Sequence, residues 1–218
     1  MLSTVRVTTL CAALGLILLG TSAAAQPAPA AARPPAAKPV KDPAAAPSGA
    51  YKLDAEHSSM IFRVEHMFGL SFMTFRMSGL SGVLDWNNAK PEASKVDAVV
   101  DMTSVFQPVK GFGEEIAGEK FFQAAKFPTA HFVSTSIKRT GPTKGVITGD
   151  LTFMGQTHPL SIDAEMVGTV KNGRGVNIIG VTGTATMDRS QWGFAAQPDV
   201  VNDVHFILDL EFDLPPAA

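Results

Sequence analysis

Residues 149–162 read GDLTFMGQTHPLSI, two alternating apolar–polar runs joined by a turn expected at Gly155-Gln156-Thr157. Alternation of period two sends successive side chains to opposite faces of a strand, so the segment reads as an antiparallel hairpin. The same alternation recurs from about Tyr51 to Leu214, with one break. About 160 residues of linked hairpins must bury one face of every strand. A sheet that closes on itself does this economically, and a closed sheet of this size has room for a ligand inside.

Within that span, Ser59 to Met67 sets Met60, Phe62, Val64 and His66 on one face against Ile61, Arg63 and Glu65. Phe72 to Leu84 is a second strand or a bent pair, interrupted by Gly79 and Gly82. Val96, Ala98, Val100 and Met102 line one face of a third strand. The break is Gly111 to Ala125, where a short helix is expected before Pro128. Alternation resumes at Ala130–Lys138, Gly145–Met154, His158–Val170, Val176–Met187 and Val204–Leu214. The chain is therefore all-β, with about eight antiparallel strands and one short helical insertion. A lipocalin-like closed barrel fits this pattern better than a two-sheet sandwich.

Two segments precede the barrel. Residues 1–25 carry Arg6, an apolar run from Leu10 to Gly20 and an Ala23-Ala24-Ala25 cleavage signal. They read as a signal peptide, which places the protein in the periplasm. The alternative, an uncleaved anchor, has an apolar core of about 11 residues, short for a membrane span. Cys11, the sole cysteine, lies inside this leader, so the mature chain has neither thiolates nor disulfides. Residues 26–49 contain seven prolines and nine alanines, a disordered, extended tether by composition. The folded domain then occupies residues 50–215. From Tyr51 onward, 14 Lys/Arg face 19 Asp/Glu, a balance of −5 that argues against nucleic acid as a partner.

Catalytic signatures are missing: there is no G-x-S-x-G, no H-E-x-x-H and no G-x-G-x-x-G. GEEIAGEK at 113–120 departs from a phosphate-binding loop at Glu119 and Phe121, and its glutamates would repel a phosphate. The five histidines, His57, His66, His131, His158 and His205, follow no local metal-ligand spacing. No cofactor, metal or catalytic group is expected. His66 shares the face of Met60, Phe62 and Val64, and inside a barrel its ring needs a partner, either a ligand head group or a backbone carbonyl. Arg189, in Asp188-Arg189-Ser190-Gln191-Trp192-Gly193, either binds an anionic head group or pairs with Asp188 or Asp203. The expected interior wall is Met60, Phe62, Val64, His66, Phe75, Met77, Val100, Met102, Phe122, Phe132, Phe153, Ile162, Phe206 and Leu208, with Arg189 and Trp192 beside it. Its methionines and phenylalanines form an adaptable apolar lining.

Four segments in order carry a family resemblance. They are Leu53-Asp54 with His57-Ser58, Phe62 and His66; Phe121-Phe122 through Lys126-Phe127-Pro128 and Phe132-Val133-Ser134-Thr135; GDLTFMGQTHPL; and Arg189 with Trp192-Gly193. Together they resemble the YceI-like family of exported, lipocalin-like barrels. The resemblance implies a barrel around a long-chain amphiphile such as a polyisoprenoid, an isoprenoid quinone or a fatty-acid amide. It also implies no catalytic residues and often a dimer. One departure bears on the ligand. Before the Phe-Phe pair the family carries an Arg-Asp…His-Leu-Arg pattern, where this chain has Gly113-Glu114-Glu115-Ile116-Ala117-Gly118. The loss of those cations favours a neutral head, a quinone or an amide, over a pyrophosphate.

The expected function is periplasmic binding, transport or sequestration of an isoprenoid, without enzymatic activity. Each buried five-carbon unit contributes roughly 3–4 kcal/mol gross at about 0.8 kcal/mol per CH₂. Four units therefore suffice for micromolar affinity after association costs. The alternatives are an accessory module that binds a membrane redox protein, which predicts an exposed apolar patch, and a cofactor-free enzyme using His66 with a carboxylate.

Overall fold

The computed structural model describes residues 37–194 and 198–216. The expected leader, 1–25, and the first part of the Pro/Ala tract lie outside the described residues. Ten strands follow one another: β1 Gly49–His66, β2 Ser71–Met77, β3 Leu80–Trp86, β4 Lys95–Asp101, β5 Val105–Phe106, β6 Thr129–Arg139, β7 Lys144–Phe153, β8 Gln156–Lys171, β9 Asn177–Asp188 and β10 Val200–Leu214. Among the described residues one α-helix, α1, spans Phe112–Ala117.

Eight of these strands form the ring β1-β10-β9-β8-β7-β6-β4-β3, which returns to β1. The closing seam pairs Met60 with Leu208 and Phe62 with Phe206. The N-terminal part of β1 pairs β3 and its C-terminal half pairs β2. The stretch Phe72–Leu84 is thus one wall position broken into two strands at Ser78-Gly79. Gly79 makes that corner possible, because a Cβ there would stand 2.6 Å from the Asp101 Cβ. The lipocalin-like, eight-stranded expectation holds, with short β5 as an added pairing on β2.

Three local expectations are corrected. The β7–β8 turn is Met154-Gly155, since Phe153 pairs with Gln156. Met154 has φ 50° and Gly155 φ 76°, the left-handed pair of a two-residue turn whose twist matches the strands it joins. The helix is six residues long and does not reach Ala125. After Gly118 the chain winds through turns held by Phe122 N–H to the Ile116 carbonyl and Ala124 N–H to the Ala117 carbonyl, both 2.9 Å. Finally, the tether ends before Gly49. Val40 exchanges backbone hydrogen bonds with Thr169 at 2.8 and 2.9 Å, and Ala46 is fully buried.

Two clusters of buried side chains fill the barrel. Tyr51, Leu84, Met166, Ile179 and Phe212 pack at the end where β1 begins. The larger cluster, with Phe62, Phe75, Met77, Phe122, Phe153 and Trp192, occupies the end covered by α1. Phe62 stacks on Phe75 with ring centroids 4.7 Å apart, and Phe122 tilts against Phe62 and meets Phe153 edge-on.

Candidate functional site

Between and around these clusters the side chains leave two chambers. The helix-end chamber has a volume of about 300 Å³ and the far-end chamber about 220 Å³. Met60, Val100, Ala130, Leu151 and Phe206 line both, so they form a common waist. Each chamber exceeds the roughly 150 Å³ of an engineered apolar cavity that stays dry and admits benzene.

The expected lining residues sort cleanly. Phe62, Val64, His66, Phe75, Met77, Met102, Phe122, Phe153 and Arg189 line the helix-end chamber. Phe132, Ile162 and Leu208 line the far-end chamber, and Met60, Val100 and Phe206 line both. Trp192 lines neither. Its indole N–H donates to the Leu151 carbonyl at 3.0 Å, and its ring meets His158 edge-on at 5.1 Å. Trp192 holds the 3-10 turn Arg189–Trp192 against β7, so it belongs to the frame.

Polar groups line both ends: Arg139, Thr143 and Lys144 at the far end, where Arg139 and Lys144 pair with Glu92 and Glu165, and His66, Arg189 and Asp199 at the helix end. The ring of His66 faces the helix-end chamber, and its Nε2 lies 3.3 Å from an Asp199 carboxylate oxygen. The partner is therefore a side-chain carboxylate, neither a carbonyl nor necessarily a ligand. Arg189 is 5% exposed. One terminal nitrogen donates to the Val200 carbonyl at 3.1 Å, and the guanidinium sits 5.1 Å from the centre of the Phe194 ring. Neither Asp188 nor Asp203 forms an ion pair with it among the described residues. Asp188 instead accepts from the Ser190 N–H at 2.9 Å and the Ser190 hydroxyl at 2.6 Å. The Arg189 Nε is buried without a partner among the described residues, and burial pushes the guanidinium pKa down, opposed by the nearby Asp188 charge. A buried cation short of acceptors is suited to a carbonyl or similar oxygen on a ligand.

The lid is apolar on the inside. Phe112, Ile116 and Phe121 line the helix-end chamber, while Glu114 and Glu115 are exposed. The sequence reading missed these three and many others, Leu151, Met187, Val204 and Asp199 among them. Val204 and Leu151 were within reach, since both alternate with residues already assigned to the wall. Phe112 and Ile116 were not, because a six-residue helix gives no periodicity to read.

The histidines do not converge. Among the described residues one group, Asp54, His57 and Glu211, brings three ligand-type atoms within 4.8 Å of one another on the outer wall. There His57 Nδ1 lies 2.7 Å from Asp54, whose carboxylate also accepts the N–H groups of Glu56 and His57.

A closed antiparallel barrel with an apolar cavity along its axis is a lipocalin-like barrel. The model of the YceI-like domain matches residues 51–212, and the chain belongs to that family. A UPF0312 protein of Pseudomonas putida is 34% identical over 145 residues, covering 66% of this chain and 75% of that protein. Another, from a Shewanella species, is 37% identical over 153 residues, covering 69% and 80%. Among solved structures, BcnA of Burkholderia cenocepacia superposes with a TM-score of 0.62 at 21% identity, over 73% of this chain and 98% of that one. A YceI protein of Campylobacter jejuni with a monobromobimane guest gives 0.61 at 24%, over 65% and 85%. A polyisoprenoid-binding domain from Saccharophagus degradans gives 0.56 at 15%, over 76% and 98%. These three share the fold.

Proposed function

We propose that this protein binds an isoprenoid, either a polyisoprenoid or an isoprenoid quinone, or a similar long-chain amphiphile, and carries or sequesters it in the periplasm. The observation that carries this reading is the two-chamber, predominantly apolar cavity whose helix end holds a buried cation, Arg189. The chain of the ligand lies through the waist into the far-end chamber, and the head sits by Arg189, His66 and Asp199. A neutral head with carbonyl oxygens suits a chamber lined by one buried cation and one carboxylate, whose lid contributes no cation. The YceI-like family membership and the polyisoprenoid-binding neighbour support a lipid ligand, and the leader read in residues 1–25 supports export.

Length supports the reading as well. Val204, Phe206, Leu208, Leu210 and Phe212 of β10 all line the cavity, a run of about 27 Å along a strand at ~3.4 Å per residue. A chain spanning that run buries enough methylenes to bind without a strong head-group contact. Titrating the purified protein with a long-chain ubiquinone and a polyprenol tests the proposal. Saturable binding with a raised Tm is expected, and indifference to both would refute it.

One observation favours a second reading. His66 Nε2 lies 3.3 Å from the Asp199 carboxylate beside the cavity, the kind of contact from which an enzyme acting on a bound lipid would build a proton-transfer pair. A His66→Ala variant that keeps lipid binding but loses turnover of a bound lipid would favour that reading. Unchanged lipid recovered from wild-type protein supports binding alone.

A further inference from the structure

The turn joining β1 to β2 is Met67-Phe68-Gly69-Leu70, four residues without one polar side chain. Phe68 and Leu70 are each 81% exposed and Met67 nearly half exposed. The backbone makes this choice costly. Met67 and Phe68 have φ 51° and 57° and Gly69 has φ 91°, a left-handed run in which Asn and Gly are at ease and bulky apolar residues are not. A turn shaped by folding alone would carry Asn-Gly here. Two strained positions instead hold large apolar side chains in water.

The position of the tip explains what they contact. His66 immediately precedes it and lines the polar end of the helix-end chamber, and His66 pairs with Ser71 across the base of the turn. The tip is thus continuous with the mouth of the cavity. Phe106 and Val109, 60% and 61% exposed, lie on the segment that leads from β5, the neighbour of β2, to α1. We propose that this hairpin tip is a membrane-docking prong, inserting Phe68 and Leu70 into a lipid bilayer so that the cavity mouth meets the surface from which its ligand comes. The inference rests on the lipid-binding reading above.

Shape and charge select the bilayer over a protein partner. A four-residue tip offers far less than the roughly 800 Å² per partner of a standard stable interface, whereas a convex apolar prong needs only a fluid apolar medium. Ionic attraction adds little. Arg63 stacks over Phe72 at 4.1 Å, and the exposed Lys110 is offset by exposed Glu114 and Glu115. Docking therefore depends on apolar insertion and not on anionic lipid.

The test uses the protein as processed by its producing cell, with a Phe68→Asn/Leu70→Ser variant. Asn suits the left-handed backbone, so the variant keeps its Tm while losing the apolar prong. Flotation with phosphatidylcholine vesicles, and with vesicles enriched in phosphatidylglycerol, is expected to recover wild-type protein equally from both and at high salt. The variant is expected to bind more than about tenfold more weakly. Binding of a long-chain ubiquinone in vesicle-free solution should be the same for both proteins. Equal flotation of variant and wild type overturns the prong while the lipid-binding reading stands. Failure of both proteins to bind quinone and polyprenol overturns that reading separately. A variant whose only defect is loss of self-association by light scattering assigns the tip to a second copy of the chain, and also overturns the proposal.

Discussion

The hydroxyl of Tyr51 donates to the carbonyl of Pro47 at 2.8 Å, fastening the end of the Pro/Ala tract to the barrel. Tyr51 is fully buried and is the sole tyrosine of the chain, so its titration reports on that end alone. Burial disfavours the phenolate and raises the pKa to about 12. An acid whose folded pKa is raised stabilises the fold below the unfolded pKa, near 10, and loses that contribution as pH climbs from about 10 through 12. The phenolate absorbance should stay silent at pH 10 in folded protein and appear there in urea. Tyr51→Phe, which removes the hydrogen bond, should cost about 1 kcal/mol. Phenolate absorbance at pH 10 from the folded protein would contradict the packing described.

At the waist, Ala130 stands where both chambers meet. Ala130→Leu extends a side chain into open space, so the protein should gain on the order of 1 kcal/mol against urea as cavity is filled. The same change should weaken a long-chain ubiquinone far more than a short-chain one. Equal loss for both chain lengths would mean that the ligand does not cross the waist.

Arg189 gives the opposite separation of stability from binding. Its guanidinium is buried with few acceptors among the described residues, so Arg189→Met removes a desolvated charge and should leave Tm unchanged or raised. Discrimination between a quinone and an alkane of equal length should fall, because the group that reads the head is gone. A large drop in Tm would show that Arg189 serves the frame and not the ligand.

On the outer wall, the hydrogen bond from His57 holds the Asp54 carboxyl below its usual range, and Asp54 holds the His57 imidazole above its own. The His57 contribution is complete below the unfolded imidazole pKa and fades as pH rises through the raised folded value. The Asp54 contribution is present above the unfolded carboxylate pKa and fades as pH falls through the depressed one. His57→Ala should therefore lower Tm most between those ranges, near pH 5, and least at pH 9. The shift is small, since both groups face solvent.

Strand count, closure and part of the cavity wall were legible because a half-buried strand writes its inner face into every second residue. Met60, Phe62, Val64 and His66 follow that rule without a break. Legibility fails where the register shifts. Leu53 and Met60 both face the cavity although one is odd and the other even, because β1 shifts register against β10 between Asp54 and Ser59. Ser58 fills that irregularity by accepting the Glu211 N–H at 3.0 Å. In β6 a second shift between Ser134 and Ser136 carries the inner face from Phe132 to Ile137. The partners of His66, Arg189 and Trp192 come from residues up to 133 positions away in sequence and from backbone carbonyls, which no local pattern encodes. Trp192, expected beside the wall with Arg189, lines neither chamber because its indole N–H is committed to the Leu151 carbonyl.

Native mass spectrometry of the protein recovered from its producing cell, followed by organic extraction, addresses ligand binding most directly. A barrel that carries an isoprenoid releases one long-chain lipid per protein, with a quinone or other neutral head and an unmodified chain. A barrel recovered empty, which also takes up neither added polyprenol nor added quinone, would contradict the proposed function.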